Sequence, residues 1–284
     1  MNSKQLAWLI RRDGVEMTHV SGGSHIASIL SVADIVAVLY NDVANVAPDR
    51  LDDPDRDRIV LSKGHAGAAI YSALANKGYF DRSELMTHYA NGSRLSGHVS
   101  HKGVPGVEVS TGSLGHGICM ASGMALASKM DHKRYQTFAI VGDGECDEGS
   151  VWETALFANH FGLSGLTVIV DYNKMQSLDY CEKTLQLNSF ADKWRAFGWN
   201  VTEVDGHDHD QLRRVLKKTK TQWDKPNVII AHTVKGKGVS FMERDILWHY
   251  RFPHDGGEYE TAVAELNAAI PDGMTDPYLK GEQK

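Results

Sequence analysis

Thr137-Phe138-Ala139-Ile140-Val141-Gly142-Asp143-Gly144 and Leu166-Thr167-Val168-Ile169-Val170-Asp171-Tyr172-Asn173 decide the fold. Each is a nearly unbroken apolar run that ends abruptly in polar residues. A strand with one wet face alternates; a continuous apolar run this short suits a strand buried on both faces, as in a parallel sheet covered by helices. The surrounding pattern agrees, with helical stretches at Glu148–Phe161, Ser189–Phe197 and Asp208–Lys220 separating strands at Trp199–Val204 and Asn227–Ala231. This alternation predicts an α/β fold, a doubly wound and mainly parallel sheet with helices on both faces.

Upstream, Lys4–Val20 reads as an amphipathic helix with Leu6, Leu9, Ile10 and Met17 near helical spacing. Ser31 is the expected cap of a second helix with the stripe Val32, Ile35, Val36 and Leu39. Asn41–Arg58 reads as a surface connection before a short strand, Arg58–Leu61, and a helix carrying Ile70 and Leu74. A glycine-rich stretch from Asn91 to Gly117 leads into an Ala/Met-rich helix ending near Lys133. Gly256–Ile270 reads as a short helix. No linker interrupts the pattern, so residues 1–270 are expected to form one domain and 271–284 a polar C-terminal tail.

Composition narrows the function. Among 284 residues, 30 basic against 36 acidic side chains leave a net charge of −6, which excludes a protein that coats nucleic acid. No apolar run approaches 18 residues, so no membrane span is expected. Cys119, Cys146 and Cys181 form no Cys-x-x-Cys pair, which argues against a disulfide framework and for a reducing, cytoplasmic setting. Met1–Ile10 lacks the features of a secretory leader. The 27 glycines exceed the usual share of about 7% and point to loops where backbone approaches a ligand.

Ligands of such sheets bind beyond the carboxyl ends of the strands. Gly142-Asp143-Gly144 and Asp171-Tyr172-Asn173-Lys174 both lie there, on strands separated by one helix. Asp143 offers a hard oxygen, and Asn173, 30 residues on, a second. Two such donors leave a magnesium ion free positions for phosphate oxygens and water, as it prefers. Either segment alone is an ordinary turn; together, at strand ends, they resemble the motif of thiamine diphosphate enzymes. That resemblance implies a thiamin diphosphate-binding fold, with Gly142, Asp143, Gly144 and Asn173 at the cofactor. It also makes Asp143, Asn173 and the main-chain carbonyl of Met175 the ligands of Mg2+.

Other segments specify which such enzyme. Ser21-Gly22-Gly23-Ser24-His25, Leu61-Ser62-Lys63-Gly64-His65-Ala66, Leu95-Ser96-Gly97-His98 and Thr111-Gly112-Ser113-Leu114-Gly115-His116-Gly117 all resemble transketolases. Gly142 to Glu153 and Lys235-Gly236-Lys237-Gly238-Val239-Ser240-Phe241-Met242-Glu243 do so too. Over residues 1–265 the chain resembles the amino-terminal, diphosphate-binding subunit of a transketolase split into two chains. The dinucleotide reading of Gly112–Gly117 is weak, because no strong strand precedes it.

The resemblance assigns roles by position. His25, His65, His98 and His249 match active-site histidines, with His65 and His249 also at the cofactor. Cleaving a carbon–carbon bond beside a hydroxyl moves a proton, and imidazole does this near neutral pH. Gly112 and Leu114 match positions at the aminopyrimidine, and Glu148 and Glu153 match acidic positions near the cofactor and a subunit interface. The implied reaction transfers a two-carbon ketol unit from a ketose, phosphorylated or not, to an aldose.

The resemblance also implies a partner. The glutamate that acts on the aminopyrimidine and the groups that grip a substrate phosphate belong to a segment absent from these 284 residues. A separate C-terminal subunit in an α2β2 heterotetramer is therefore expected. An α subunit of a two-chain 2-oxoacid dehydrogenase and a non-catalytic scaffold are the alternatives; Leu-Ser-Lys-Gly-His-Ala and Thr-Gly-Ser-Leu-Gly disfavour the first, and the intact histidines the second. One departure stands out: Tyr250 follows His249 where split transketolases commonly have glycine.

Overall fold

The computed structural model describes residues 1–279. Its strands are β1 (Arg58–Leu61), β2 (Thr137–Gly142), β3 (Leu166–Tyr172), β4 (Asn200–Asp205) and β5 (Asn227–His232). They form one sheet in the order β1-β2-β3-β5-β4, and every pairing is parallel. The helices that position the site are α1 (Ser3–Ser21), α2 (Ile26–Val38), α3 (Gly67–Asn76), α4 (His116–Met130) and α5 (Gly149–His160). After β3 come α6 (Cys181–Thr184), α7 (Phe190–Ala196), α8 (His209–Thr219) and α9 (Glu258–Ala268).

Two apolar cores lie on opposite faces of the sheet, which explains the unbroken apolar runs. Phe138, Ile140, Ile169, Ile229 and Ala231 join one core with α1, α2, α3 and α8. Their sequence neighbours Ala139, Val141, Val168, Val170, Val228 and Ile230 join the other, with α4, α5 and α7. Successive side chains of a strand point to opposite faces, so both sets must be apolar. Thr202 and Glu203 are exposed on the edge strand β4, where the run is weakest.

Two expectations need correction. Ser31 does not cap α2, which begins at Ile26; His25 stands at the cap with φ 76°, and Ser31 is buried mid-helix. The expectation that no apolar stretch reaches 18 residues also fails. Ile26–Val43, α2 plus a π-helical turn at Leu39–Val43, has mean hydropathy 1.7 over 18 residues, and 83% of it is buried inside the protein. A helix apolar on all sides belongs in the middle of a core, and α2 packs there between α1 and α3.

The polar C-terminal segment is docked as far as it is described. Asp276 accepts from Arg12 Nε at 2.8 Å, and the Tyr278 ring lies between the guanidinium groups of Arg12 and Arg82 at 4.4 and 4.6 Å. The rest of the expected tail, 280–284, lies outside the described residues.

Candidate active site

The carboxyl ends of β1, β2, β3 and β5 open on one pocket of about 220 Å3. Because β2 and β3 pair with Gly142 opposite Asp171, Asp143 and Asn173 leave neighbouring strands side by side. The pocket is lined by His25, His65, His98 and His249, by Gly112 and Leu114, and by Gly142, Asp143, Gly144, Asn173 and Met175. Every residue singled out for catalysis, cofactor or metal is therefore in one place. Glu148 and Glu153 are exposed and outside it, as is His116, whose Nδ1 meets the Leu114 carbonyl at 3.1 Å.

The glycine-rich loops converge by close backbone packing. A Cβ on Gly64 would stand 2.3 Å from the Thr111 carbonyl oxygen, so only glycine lets the loop carrying His65 touch the loop carrying Gly112. Thr111 Oγ1 donates to the Leu61 carbonyl at 2.6 Å and pins that loop to the end of β1. The Glu145 carboxylate accepts from Gly115 N at 2.9 Å and Gly142 N at 3.1 Å, joining the start of α4 to the end of β2.

At the floor, Asp143 is 2% exposed and accepts the backbone N–H groups of Gly144, at 2.8 Å, and Lys174. Burial first, and the nearby Asp171 carboxylate second, push its pKa up from 3.8 to about 6. Asn173 Oδ1 accepts from Met175 N at 3.1 Å, while its Nδ2 donates to Ser31 Oγ and Asp171 Oδ2, each at 3.3 Å. Asp171 is fully enclosed. It accepts from Lys63 Nζ at 2.5 Å, from Ser31 Oγ at 2.6 and 2.8 Å, and from Thr233. Burial alone would raise its pKa, but the Lys63 ammonium together with the Ser31 and Thr233 hydroxyls outweighs this and holds it below the usual value.

This donor set fits a magnesium ion. Among the described residues Asp143 is a buried carboxylate with no side-chain cation bonded to it, Asn173 has its amide oriented by two neighbours, and Met175, whose carbonyl meets Lys235 Nζ at 3.3 Å, lines the same pocket. Such a hard-oxygen set explains why, among the described residues, no three His, Cys, Asp or Glu side chains cluster as a metal site.

Above the floor the four imidazoles form a contiguous group. The His25 ring centroid lies 5.2, 5.5 and 5.0 Å from those of His65, His98 and His249, and His65 lies 5.5 Å from His249. Burial comes first in lowering every one of these pKa values: His25 to about 4 and His249 to about 2, with His65 and His98 also below 6.5. All four are neutral at pH 7. Lys235 Nζ donates to His249 Nδ1 at 2.8 Å, which leaves the His249 proton on Nε2. The same ammonium meets the carbonyls of Met175 and Gln176 at 3.3 and 3.2 Å. Its own pKa is lowered to about 8, by burial first and by Lys63 second. His25 Nδ1 is buried without a hydrogen-bond partner among the described residues.

Sequence reasoning missed Lys63, Asp171, Lys235 and Glu145. Their signal was present: each is a charged residue at or within a few positions of a strand end, with an apolar or small residue beside it. Lys63 and Lys235 are each 2% exposed. Lysines are almost never so deeply buried without a partner or an anion to meet.

Residues 2–249 match the family model for the transketolase thiamine diphosphate binding domain. The chain is 40% identical over 260 residues to one of the subunits of an apulose-4-phosphate transketolase from Phocaeicola vulgatus, covering 92% of each protein. It is 41% identical over 258 residues to the 6-deoxy-6-sulfo-D-fructose transketolase subunit SqwG of a Clostridium species, covering 91% of this chain and 94% of that one. The transketolase of Leishmania mexicana superposes with a TM-score of 0.87 at 29% identity, over 95% of this chain and 41% of the longer one. That of Campylobacter jejuni does so with a TM-score of 0.85 at 26% identity, over 97% and 44%. The chain thus spans about two fifths of these solved transketolases, and nearly the whole of the separate subunits. With the Asp143–Asn173 floor and the histidine group in place, these likenesses show that the chain belongs to the transketolase family.

Proposed function

We propose that the chain is the diphosphate-binding subunit of a magnesium-dependent, two-chain transketolase that moves a two-carbon ketol unit from a ketose to an aldose. The observation that carries this reading is the juxtaposition of four neutral imidazoles with an oxygen-donor floor at the ends of parallel strands. Thiamine diphosphate, when bound, supplies the electron sink that stabilises the carbanion left by carbon–carbon cleavage. Asp143, Asn173 and the Met175 carbonyl would hold Mg2+, and Lys235 and His65 would face the diphosphate.

The histidines handle the proton. A neutral imidazole accepts a proton from a substrate hydroxyl, and the depressed pKa keeps His25 available as the acceptor at pH 7. The Lys235 bond fixes the His249 tautomer, so its Nε2–H donates to a substrate oxygen. His98, on the exposed side of the group, would orient the two-carbon unit. The two relatives are named for different substrates, apulose-4-phosphate and 6-deoxy-6-sulfo-D-fructose, so membership alone does not set the donor.

A second chain would complete the site with a pyrimidine pocket and phosphate-gripping groups, in a cytoplasmic α2β2 assembly. The test is ketol transfer by the chain co-purified with the product of an adjacent reading frame. Turnover should require both chains, thiamine diphosphate and Mg2+, and should fall about 10²–10⁴-fold in His249→Ala. Absence of ketol transfer by the pair refutes the reaction, and full activity of this chain alone refutes the partnership.

A further inference from the structure

We infer that Tyr250 is a specificity-determining residue that limits the length of the aldose acceptor. The inference rests on the transketolase reading and extends it to the choice of substrate. Of the side chains lining the pocket, His98 and Tyr250 are the exposed ones, while His249, Lys63 and Lys235 are buried. Both therefore stand where the pocket meets solvent. A sugar whose reacting carbons reach His25 and His249 runs the remainder of its chain past the Tyr250 ring, which lies against both imidazoles.

The phenol ring stands in that path. Its centroid is 4.7 Å from His249, nearly edge-on at 73°, and 5.7 Å from His25. A glycine there would present backbone only. The ring is also carried on a fixed rim rather than a loose loop. The turn Ile246–His249 is capped by Asp245, whose Oδ1 accepts from Leu247 N at 3.0 Å. Trp248 is 3% exposed, packs against Phe241 at 5.2 Å and is covered by Arg251 at 4.8 Å. The His249 carbonyl accepts from His25 N at 3.0 Å, locking the rim to the start of α2. A rigid rim cannot withdraw cheaply, so the ring excludes by bulk, and an acceptor too long for the gap loses binding. Tyr250 itself is 60% exposed, so replacing it leaves the core intact.

The test compares wild type, Tyr250→Gly and Tyr250→Phe in the assembled two-chain enzyme. Acceptors are glycolaldehyde, glyceraldehyde, erythrose and ribose, with one fixed donor. Tyr250→Gly should raise the ratio of kcat/KM for ribose over glycolaldehyde by about tenfold or more, through a lower KM for ribose. Tyr250→Phe should leave that ratio within about twofold, because the ring and not the hydroxyl is the obstacle. Equilibrium binding of the same sugars, read by the fluorescence of Trp248 beside the rim, should shift in the same sense. An unchanged length preference in Tyr250→Gly, in turnover or, where turnover is absent, in binding, overturns the inference. A shifted binding preference in an assembly without ketol transfer upholds it while refuting the transketolase reading.

Discussion

Replacing Asp143 by asparagine should make the apo chain more stable at pH 8 and less stable at pH 4. Asp143 is buried, touches no cation and lies near the Asp171 carboxylate, so its pKa stands at about 6 instead of 3.8. The folded chain therefore binds that proton more tightly than the unfolded chain. Below pH 4 the group is protonated in both states and imposes nothing. As pH rises through 6 the folded state must ionise it, and the full penalty is present above that. The interval from 3.8 to about 6 corresponds to roughly 3 kcal/mol. Asparagine removes the charge and keeps an acceptor for Gly144 N, but turns its NH2 toward Lys174 N–H and loses that bond, worth about 1 kcal/mol.

The balance is a gain of about 2 kcal/mol at pH 8 that reverses to a loss of about 0.5 kcal/mol at pH 4, where the unfolded carboxyl is still partly ionised. Urea unfolding of the metal-free chain at both pH values measures it directly. In the assembled enzyme, Mg2+ with thiamine diphosphate should raise the unfolding midpoint of wild type and leave Asp143→Asn unmoved. A variant that is less stable than wild type at pH 8, or whose advantage does not shrink on acidification, refutes the view that this carboxylate is held in strain for a cation.

Two further outcomes follow from the packing. Gly64→Ala places a methyl 2.3 Å from a backbone oxygen that cannot swing aside, and should destabilise the chain by about 1–3 kcal/mol in urea unfolding; an effect under about 0.5 kcal/mol would show that the two loops give way freely. Asp34→Ala should destabilise by about 3–5 kcal/mol, since it strands the buried His209, bonded to Asp34 at 2.9 Å, and Arg11, bonded at 3.0 and 2.5 Å. Arg11 offsets the burial that would otherwise raise the Asp34 pKa, and holds it well below 3.8. The Asp34 carboxylate is accordingly ionised in the folded chain above pH 4, and its contribution is present at both pH 8 and pH 5.

The sheet was legible because physics leaves few alternatives for two apolar runs separated by a helix-length interval. The meeting of Asp143 and Asn173 was legible because spacing along the chain maps onto adjacency across β2 and β3. What escaped was set by contacts distant in sequence. Ser31 reads as a cap because serine favours that position, yet its hydroxyl serves Asp171, 140 residues away. The apolar length of α2 was hidden by Asp34 and Asp42, which break the run on paper. In space Asp34 is neutralised by Arg11, and Asp42 meets Arg213 at 2.8 Å. Lys63 and Lys235 read in the sequence only as parts of motifs, because sequence does not show that each is 2% exposed.

These buried charges give the site its logic. Asp171 is satisfied by Lys63 and by hydroxyls from α2 and the end of β5, so its charge is neutralised internally. Among the described residues Asp143 accepts from backbone N–H groups and Lys235 bonds to carbonyls and an imidazole, so neither is paired directly with an opposite charge inside the low-dielectric pocket. Direct pairing of those two would abolish both penalties and close the site. Their separation leaves one position suited to a cation and one suited to an anion, side by side, which is what a magnesium diphosphate presents. On the proposed reading Lys235 links the two halves of the chemistry, since the ammonium that would face the anion also fixes the proton on His249. Replacing it with methionine should therefore weaken cofactor binding and free the His249 tautomer together, whereas a purely structural lysine would alter neither without unfolding the chain.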